Sequence, residues 1–417
     1  MTRNQSRMVM LALGGALLVG SSVLADGFGN PPDTAAAVGL AGNNIAWVDD
    51  ASAVFFNPAN LADLTNRQVL TSATVGYGET QYRGATGTTG TGLPWYALPS
   101  FATAWPLPEE NLAFGLGVTV PYGRQSCWDN AGYFRGLAPT YSKMMVLDID
   151  PSLAWRISDE WSVGAGLDLY YGRLQFRQVL PYSLYFPGLP DGLAQATADG
   201  WAVGANAGIT WRPTPDQRVA LTCRAPFDLK FSGDLTVSDI PPVPFPDKPV
   251  PESSFDTTFQ FPTIVALGYG VQVTDTLTLE SDVEWKQYSR FKKMTLNAGA
   301  NNAVLGNEAS TPTDWNDTWT FGLGAAWQFA PQWTLRGGYE YLEAPEPNRT
   351  FSPSFIDNSQ SLVGLGLGFR SGPNTVDLAG AVGIFGTRSV RDNQNAAYDG
   401  DYNFNATIVA LTYTRDF

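Results

Sequence analysis

The sequence reads as an all-β protein: a transmembrane antiparallel β-barrel of about fourteen strands, an even number as closure requires, with an N-terminal plug inside the lumen. Three observations predict it. From Tyr402 to Phe417 the chain alternates, with Asn403, Asn405, Thr407, Val409, Leu411, Tyr413, Arg415 and the terminal Phe417 on one parity. Turn residues cut the chain from Gln68 onward into similar alternating stretches, joined by short connections on one side and long ones on the other. At the other end, Arg3 and Arg7 precede an apolar run from Met8 to Val19 and then Val23-Leu24-Ala25, the pattern of a secretory leader. Lipid offers no hydrogen-bond partner to an open sheet edge, so strands of this length cross a membrane only when the sheet closes on itself.

Residues 1–25 are expected to be a signal peptide, cut before Asp26; the apolar run is well short of the roughly 20 residues a spanning helix needs. No Cys follows the cut, which argues against a lipoprotein. Residues 26–67 are rich in Ala, Gly and Asn and lack sustained alternation. A segment of that length before the first strand must be held by something, and a barrel of this strand number has a lumen to fill. Residues 68–417 form the barrel. Short turns are expected at 106–111, 158–160, 212–217, 274–276, 330–332 and 370–374, and long connections at 80–97, 121–140, 179–200, 232–256, 295–314, 343–359 and 388–401.

The faces of the strands are legible. Trp161, Val163, Ala165, Leu167, Leu169 and Tyr171 alternate with Ser162, Gly164, Gly166, Asp168, Tyr170 and Gly172, so one face is greasy and the other small or polar. Trp201 and Trp211, and Trp315, Trp319 and Trp327, extend the pattern into aromatic girdles at the two interfaces. Gly364, Gly366 and Gly368 fall on the lumenal parity and leave room there. Arg415 shares the outer parity of Tyr413 and Phe417 and is expected to snorkel at the periplasmic interface.

Composition excludes several functions. The chain has no His, which removes Ser-His hydrolases and His-ligated zinc; no catalytic residue, metal site or cofactor is expected. A net charge of −14 argues against nucleic acid as a partner. Cys127 and Cys223 are expected as free thiols, one in a loop and the other mid-strand facing lipid.

Motifs carry a family resemblance. Val48-Asp49-Asp50-Ala51-Ser52, followed by Phe55-Phe56-Asn57-Pro58-Ala59-Asn60-Leu61, resembles the hatch signature of the FadL family of outer-membrane long-chain fatty acid transporters, whose relatives take up aromatic hydrocarbons. Leu221 to Pro226, Val283 to Phe291, Asp314 to Trp319, Trp333 to Tyr339 and Pro345 to Pro353 resemble further family strands and a Pro-rich loop, with Cys223 where a Tyr is usual. The resemblance implies a monomeric fourteen-strand barrel in the outer membrane of a Gram-negative bacterium. It implies an N-terminal hatch with Asp49, Asp50, Asn57, Pro58 and Ala59 as its motif, and sideways release of a hydrophobic small molecule through the wall into outer-membrane lipid. A long-chain fatty acid is the leading substrate. Aromatic or alkane hydrocarbons are the alternative on the same scaffold, and a general porin or structural barrel the alternative of another class.

Head-group candidates follow from lumenal parity: Arg224, Lys286 and Arg336, with Lys230 on the same parity as Arg224. Each either receives a carboxylate or pairs with a lumenal acid. Glu280, Asp282 and Glu284 form an inward ladder expected to solvate the lumen and pair with neighbouring cations. Tyr122, Trp128, Tyr133, Phe134, Tyr182, Tyr185 and Phe186 lie in segments read as loops and are candidates for an apolar groove.

Overall fold

The wall closes through its first and last strands. In the computed structural model, which describes residues 26–240, 251–299 and 308–417, β1 (Gln68–Arg83) pairs along its whole length with β14 (Gly400–Asp416), from Gln68 opposite Asp416 to Arg83 opposite Asp401. The expected signal peptide lies outside the described residues. Between these strands run β2 (Trp95–Leu107), β3 (Leu112–Cys127), β4 (Tyr141–Arg156), β5 (Trp161–Leu180) and β6 (Gly192–Thr214). Four strands follow in two segments each: β7 (Gln217–Arg224 and Phe227–Ser238), β8 (Glu252–Phe261 and Ile264–Thr274), β9 (Leu277–Lys286 and Lys293–Ala298) and β10 (Glu308–Pro312 and Thr318–Ala330). Then come β11 (Trp333–Leu342), β12 (Gln360–Ser371) and β13 (Asn374–Phe385). Neighbours in this order are antiparallel, and the result is a closed barrel of fourteen strands. The short turns lie where the sequence predicts them. The strands climb further into the long connections than expected: β3 reaches Cys127, and β6 starts at Gly192.

Alternation sorts the two faces as read, with one correction: Trp315, expected in a girdle, precedes the β10 segment that starts at Thr318 and is buried inside the barrel. Trp155, Trp161, Leu167, Trp201, Leu221, Trp319, Leu365, Leu378 and Leu411 are exposed on the outside, while Asp148, Asp150, Asp168, Glu280 and Asp282 are buried inside. Trp161 to Tyr171 is about ten residues at ~3.3 Å rise; tilted by roughly 40°, it spans about 25 Å, the height of an outer-membrane apolar band. Arg415 is exposed beside Phe417, its guanidinium 5.2 Å from the ring centroid. Cys223 is exposed and Cys127 half-buried, both as free thiols.

Two places break the ladder. In β3 the register against β4 slips between Thr119 and Tyr122. Toward its other neighbour β3 pairs with β2 only over 101–107, although β2 goes on pairing with β1 as far as Trp95. The wall therefore lacks its hydrogen bonds between 95–100 and the facing stretch after Val118. In β7, Pro226 has no N–H to give, and the chain gains one residue of offset there. Arg224 points inward, yet so do Phe227, Leu229 and Phe231, all buried, while Asp228 and Lys230 are exposed on the outside. The expectation that Lys230 shares the lumenal face of Arg224 is thereby corrected: the interruption swaps parity.

The N-terminal segment fills the lumen. Thr34 caps the short helix α1 (Ala35–Gly39), which rests against β12, β13 and β14. The approach is close enough that a Cβ on Gly338 would overlap the Leu40 carbonyl, and one on Gly364 the Val38 carbonyl. Glycine on the lumenal face of β11 and β12 is what admits the helix. Beyond it the backbone N–H of Ala46 donates to Glu280 at 2.5 Å and that of Ile45 to Asp282 at 3.3 Å. These acids therefore accept from the plug backbone, whereas the sequence suggested cations on neighbouring strands. After helix α2 (Ala53–Phe56), Asn57 caps a 3₁₀ turn over Pro58–Asp63 by accepting from the Ala59 N–H at 3.1 Å. The Asn57 amide also donates to the Thr210 hydroxyl of β6, 2.9 Å, which in turn donates to Asn60, 2.7 Å. Asp63 then gathers Arg156, Arg212 and Arg218 from three wall strands.

Gly338→Val should overpack this contact by about 1–3 kcal/mol and dislodge the plug while the wall stays intact. The expected signature is raised ion conductance in planar bilayers with unchanged heat-modifiable mobility on gels.

Candidate functional site

The site is built around the first residues of the plug. Phe28 is completely buried and packs into a cluster of aromatic rings: Trp315 at 4.6 Å between centroids, Phe291 at 5.2 Å, Phe261 at 5.4 Å, Phe259 at 5.7 Å, Tyr288 at 6.1 Å and Phe355 at 6.2 Å. The parity swap at Pro226 supplies one side of this cluster. Phe227 stacks on Phe261 at 4.5 Å and on Tyr170 at 3.9 Å.

Polar contacts pin the backbone on both sides of Phe28. Tyr288 Oη donates to the Asp26 carbonyl at 2.6 Å and accepts from the Phe28 N–H at 3.1 Å. Lys286 Nζ meets the Asp26 carboxylate at 2.5 Å, and the Gly27 N–H donates to Asp357 at 2.9 Å. Asp357 forms a buried pair with Arg124 at 3.0 Å, and Arg124 also donates to the Gly27 carbonyl.

Just beyond, the chain is stitched behind the first wall interruption. The Asn30 N–H donates to the Pro121 carbonyl at 3.0 Å, and Gly123 donates back to the Phe28 carbonyl at 2.9 Å. Thr74 of β1 donates to the Pro32 carbonyl at 3.4 Å, Ser100 of β2 to the Asp33 carbonyl at 2.7 Å, and Thr119 of β3 to the Asp33 carboxylate. One short segment thus bridges β1, β2 and β3 where β2 and β3 do not pair with each other. A cavity of about 230 Å³ lies against it, lined among others by Pro31, Asp33, Thr119, Pro121, Tyr122 and Phe55.

The charges around this cavity are unequal. Asp26, Asp33, Asp282, Glu284 and Glu340 line it, against Arg224 and Lys286. Arg224 already meets Asp148 and Asp168, each at 2.9 Å, and donates to the Tyr170 hydroxyl at 3.0 Å. Lys286 meets Glu284 at 2.7 Å in addition to Asp26. Arg336 meets Asp377 at 2.6 Å and borders a different cavity, of about 370 Å³, on the side of the short turns together with Asp49 and Asp50. The four head-group candidates are therefore not brought together: two line the inner cavity in ion pairs, one lies at the other end of the lumen, and Lys230 is outside.

The aromatic loop candidates divide too. Tyr122 belongs to a strand and faces the Phe28 cluster, 4.9 Å from Phe261. Trp128, Tyr133 and Phe134 pack with Tyr82, Tyr402 and Phe351 into a separate core among the outer loops. Tyr182 borders the Phe28 cluster, whereas Tyr185 and Phe186 are exposed. They form no single groove, because the strand climb carries some inside and leaves others at loop tips. Sequence reasoning missed Phe28, Asp33, Asp63, Arg124 and Asp357. The proximity of Phe28 to the expected cleavage point was the one available signal.

Comparison with known proteins decides the family. The family model described as "Outer membrane protein transport protein (OMPP1/FadL/TodX)" matches residues 16–417. The chain belongs to the FadL family. A long-chain fatty acid transport protein of Escherichia coli O6:H1 is 21% identical over 77% of this chain and 78% of its own. Among solved structures, a Pseudomonas aeruginosa FadL homologue superposes with a TM-score of 0.82 at 23% identity, over 94% of this chain and 100% of its own. The Ralstonia pickettii toluene transporter TbuX gives 0.72 at 20% identity, over 96% and 100%. As a FadL-family member the protein is an outer-membrane transporter of hydrophobic compounds in a Gram-negative bacterium, and not an enzyme.

The Asp33 carboxyl, enclosed between plug and wall, is pushed up from its ordinary 3.8 to about 6, chiefly by burial, with the Thr119 hydrogen bond and Arg224 opposing. Between those values a freed segment ionises while the docked one keeps its proton, so docking weakens as pH rises from about 4 to 6 and levels off above. Protection of the Asn30 amide, which donates to Pro121 while the prolines after it have no N–H, measured by hydrogen exchange corrected for intrinsic rates, should fall across that window. Asp33→Asn, which copies the protonated form, should flatten the fall.

Proposed function

We propose that this FadL-family barrel takes up uncharged hydrophobic molecules by passive diffusion, with hydrocarbons favoured over fatty-acid anions, and releases them sideways through the interruption between β2 and β3. The observation that carries this reading is Phe28: an aromatic side chain of the plug itself occupies the aromatic cluster, and the adjoining residues 30–33 are what cover the gap in the wall.

The steps follow from that geometry. An apolar ligand entering from the loop side competes with Phe28 for the same rings. Displacing Phe28 loosens the backbone bonds of residues 26–30, and residues 30–33 are too close along the chain to keep their hold on Ser100 and Thr119 unchanged. The ligand then meets lipid through a stretch of wall with no ladder bonds to break. A molecule that partitions into lipid gains from leaving this way and avoids an aqueous channel. The polar plug contacts at Asn57, Asn60 and Asp63 hold the rest of the segment, so uptake needs only the first few residues to move.

The relatives named for fatty acids and for toluene both span this chain, so the choice between them rests on charge. The two cations that line the inner cavity are already ion-paired, and carboxylates outnumber them there. An incoming carboxylate would have to compete with resident acids at short range, whereas an uncharged ring or alkyl chain loses nothing.

Calorimetry on the detergent-solubilised protein tests this. Toluene should bind at least about tenfold tighter than benzoate, and Phe28→Ala should tighten toluene binding by removing the internal competitor. Tighter binding of a fatty-acid anion than of the matching alkane would overturn the preference for uncharged ligands. Unchanged toluene affinity in Phe28→Ala would remove the role given to Phe28.

A further inference from the structure

The outer surface of the wall carries a feature that transport does not use. On β5 the lipid-facing parity runs from Trp161 to Tyr171 and then, without a turn, through Arg173, Gln175 and Arg177. On β4 the same face runs from Trp155 through Leu153, Ile149 and Met145 to Lys143 and Tyr141. The register sets Met145 opposite Arg173, Lys143 opposite Gln175 and Tyr141 opposite Arg177. Lys143 is thus the diagonal neighbour of both arginines, a spacing of about 7–8 Å between backbones that long side chains readily cross.

Their height is fixed by the girdle. Tyr171 lies opposite Trp201 on β6, ring centroids 5.0 Å apart, and Arg173 is the next outward residue beyond it. The three cations stand one to three outward positions above the aromatic belt, on the side of the long loops, where the head groups of the outer leaflet lie.

They are also unspent. Arg173 is exposed and Lys143 half-buried, and among the described residues neither has an ion-pair or side-chain hydrogen-bond partner. Arg177 is held over the Tyr141 ring, its guanidinium 5.2 Å from the centroid. The carboxylate nearest in register is Asp199, opposite Arg173 on β6. About a quarter of the way round the wall the pattern differs: β1 and β14 present Glu79, Gln81, Asn405 and Asn403 outward, and the one cation there, Arg83, stands opposite Asp401. On a chain of net charge −14, three neighbouring cations with no ion pair of their own among the described residues call for an anionic partner.

We propose that Lys143, Arg173 and Arg177 form a docking surface for the phosphates of a phosphorylated glycolipid of the outer leaflet. Two guanidinium forks and an ammonium on neighbouring strands match a phosphate monoester, and the apolar faces of β4 and β5 directly below receive its acyl chains. The occupant is a lipid and not free phosphate, because the cations sit immediately above an acyl-sized apolar wall.

The test uses the whole barrel in non-ionic detergent and native mass spectrometry with bisphosphorylated lipid A, its dephosphorylated form, and inorganic phosphate as competitor. The wild-type protein should retain the bisphosphorylated lipid, and Lys143→Gln/Arg173→Gln/Arg177→Gln should lower its affinity by at least about tenfold. The dephosphorylated lipid should bind both proteins weakly and alike. Equal retention by wild type and triple variant would overturn the proposal. So would equal binding of the two lipids by the wild type, or full displacement of lipid by inorganic phosphate. Should the triple variant not assemble, the exposed single change Arg173→Gln carries the test, with a loss of about threefold expected and none overturning it.

Discussion

Everything in this molecule depends on satisfying backbone hydrogen bonds where the surroundings supply none. The uninterrupted register between β1 and β14, from Gln68 against Asp416 to Arg83 against Asp401, turns a sheet into a wall without edges. Once the wall is closed, any place where the ladder stops has to be served from within. The β2–β3 interruption is served by residues 30–33, whose carbonyl and carboxylate oxygens accept from Thr74, Ser100 and Thr119. The plug is therefore not merely a filler: its first residues complete a stretch of wall.

In the proposed uptake, that double duty links binding to opening without a long-range mechanism. Phe28 and Asp33 lie five positions apart along the chain, so in that proposal a ligand that evicts the first perturbs the second directly. The remainder of the plug is held by contacts of another kind. Asn57, Thr210 and Asn60 form a relay of neutral hydrogen bonds, and Asp63 is shared by three arginines. Removing one partner from such buried groups costs about 1–3 kcal/mol or more. The front is pinned as well, by Lys286 on Asp26 and by Asp357 on the Gly27 N–H; what sets it apart is that Phe28 sits in the aromatic cluster that the proposed ligand enters.

The lumenal charges follow the same economy of partners. Acids outnumber bases inside, and each base is committed: Arg224 to Asp148 and Asp168, Lys286 to Asp26 and Glu284, Arg336 to Asp377. Glu280 and Asp282 are committed as well, to plug amides. Polar residues in the lumen thus hold the plug in position, and the surfaces left for a ligand are aromatic. Outside, the cations above the girdle on β4 and β5 have no such commitments.

Strand alternation and the Asn57-Pro58-Ala59 signature were enough to determine the class of fold and, through the family, the compartment, because each is encoded locally: in a period of two and in a short motif. The lumenal positions of Arg224, Lys286, Arg336 and the glycines of β12 were legible for the same reason. Lys230 was not, because a single proline upstream shifts parity by one residue, and nothing in the alternation beyond it records the shift. The partners of the inward acids, the scatter of the aromatic loop residues and the meeting of Phe28 with Trp315 and Phe291 were beyond reach as well. They join residues hundreds of positions apart, and only closure of the barrel around the plug decides which of them touch.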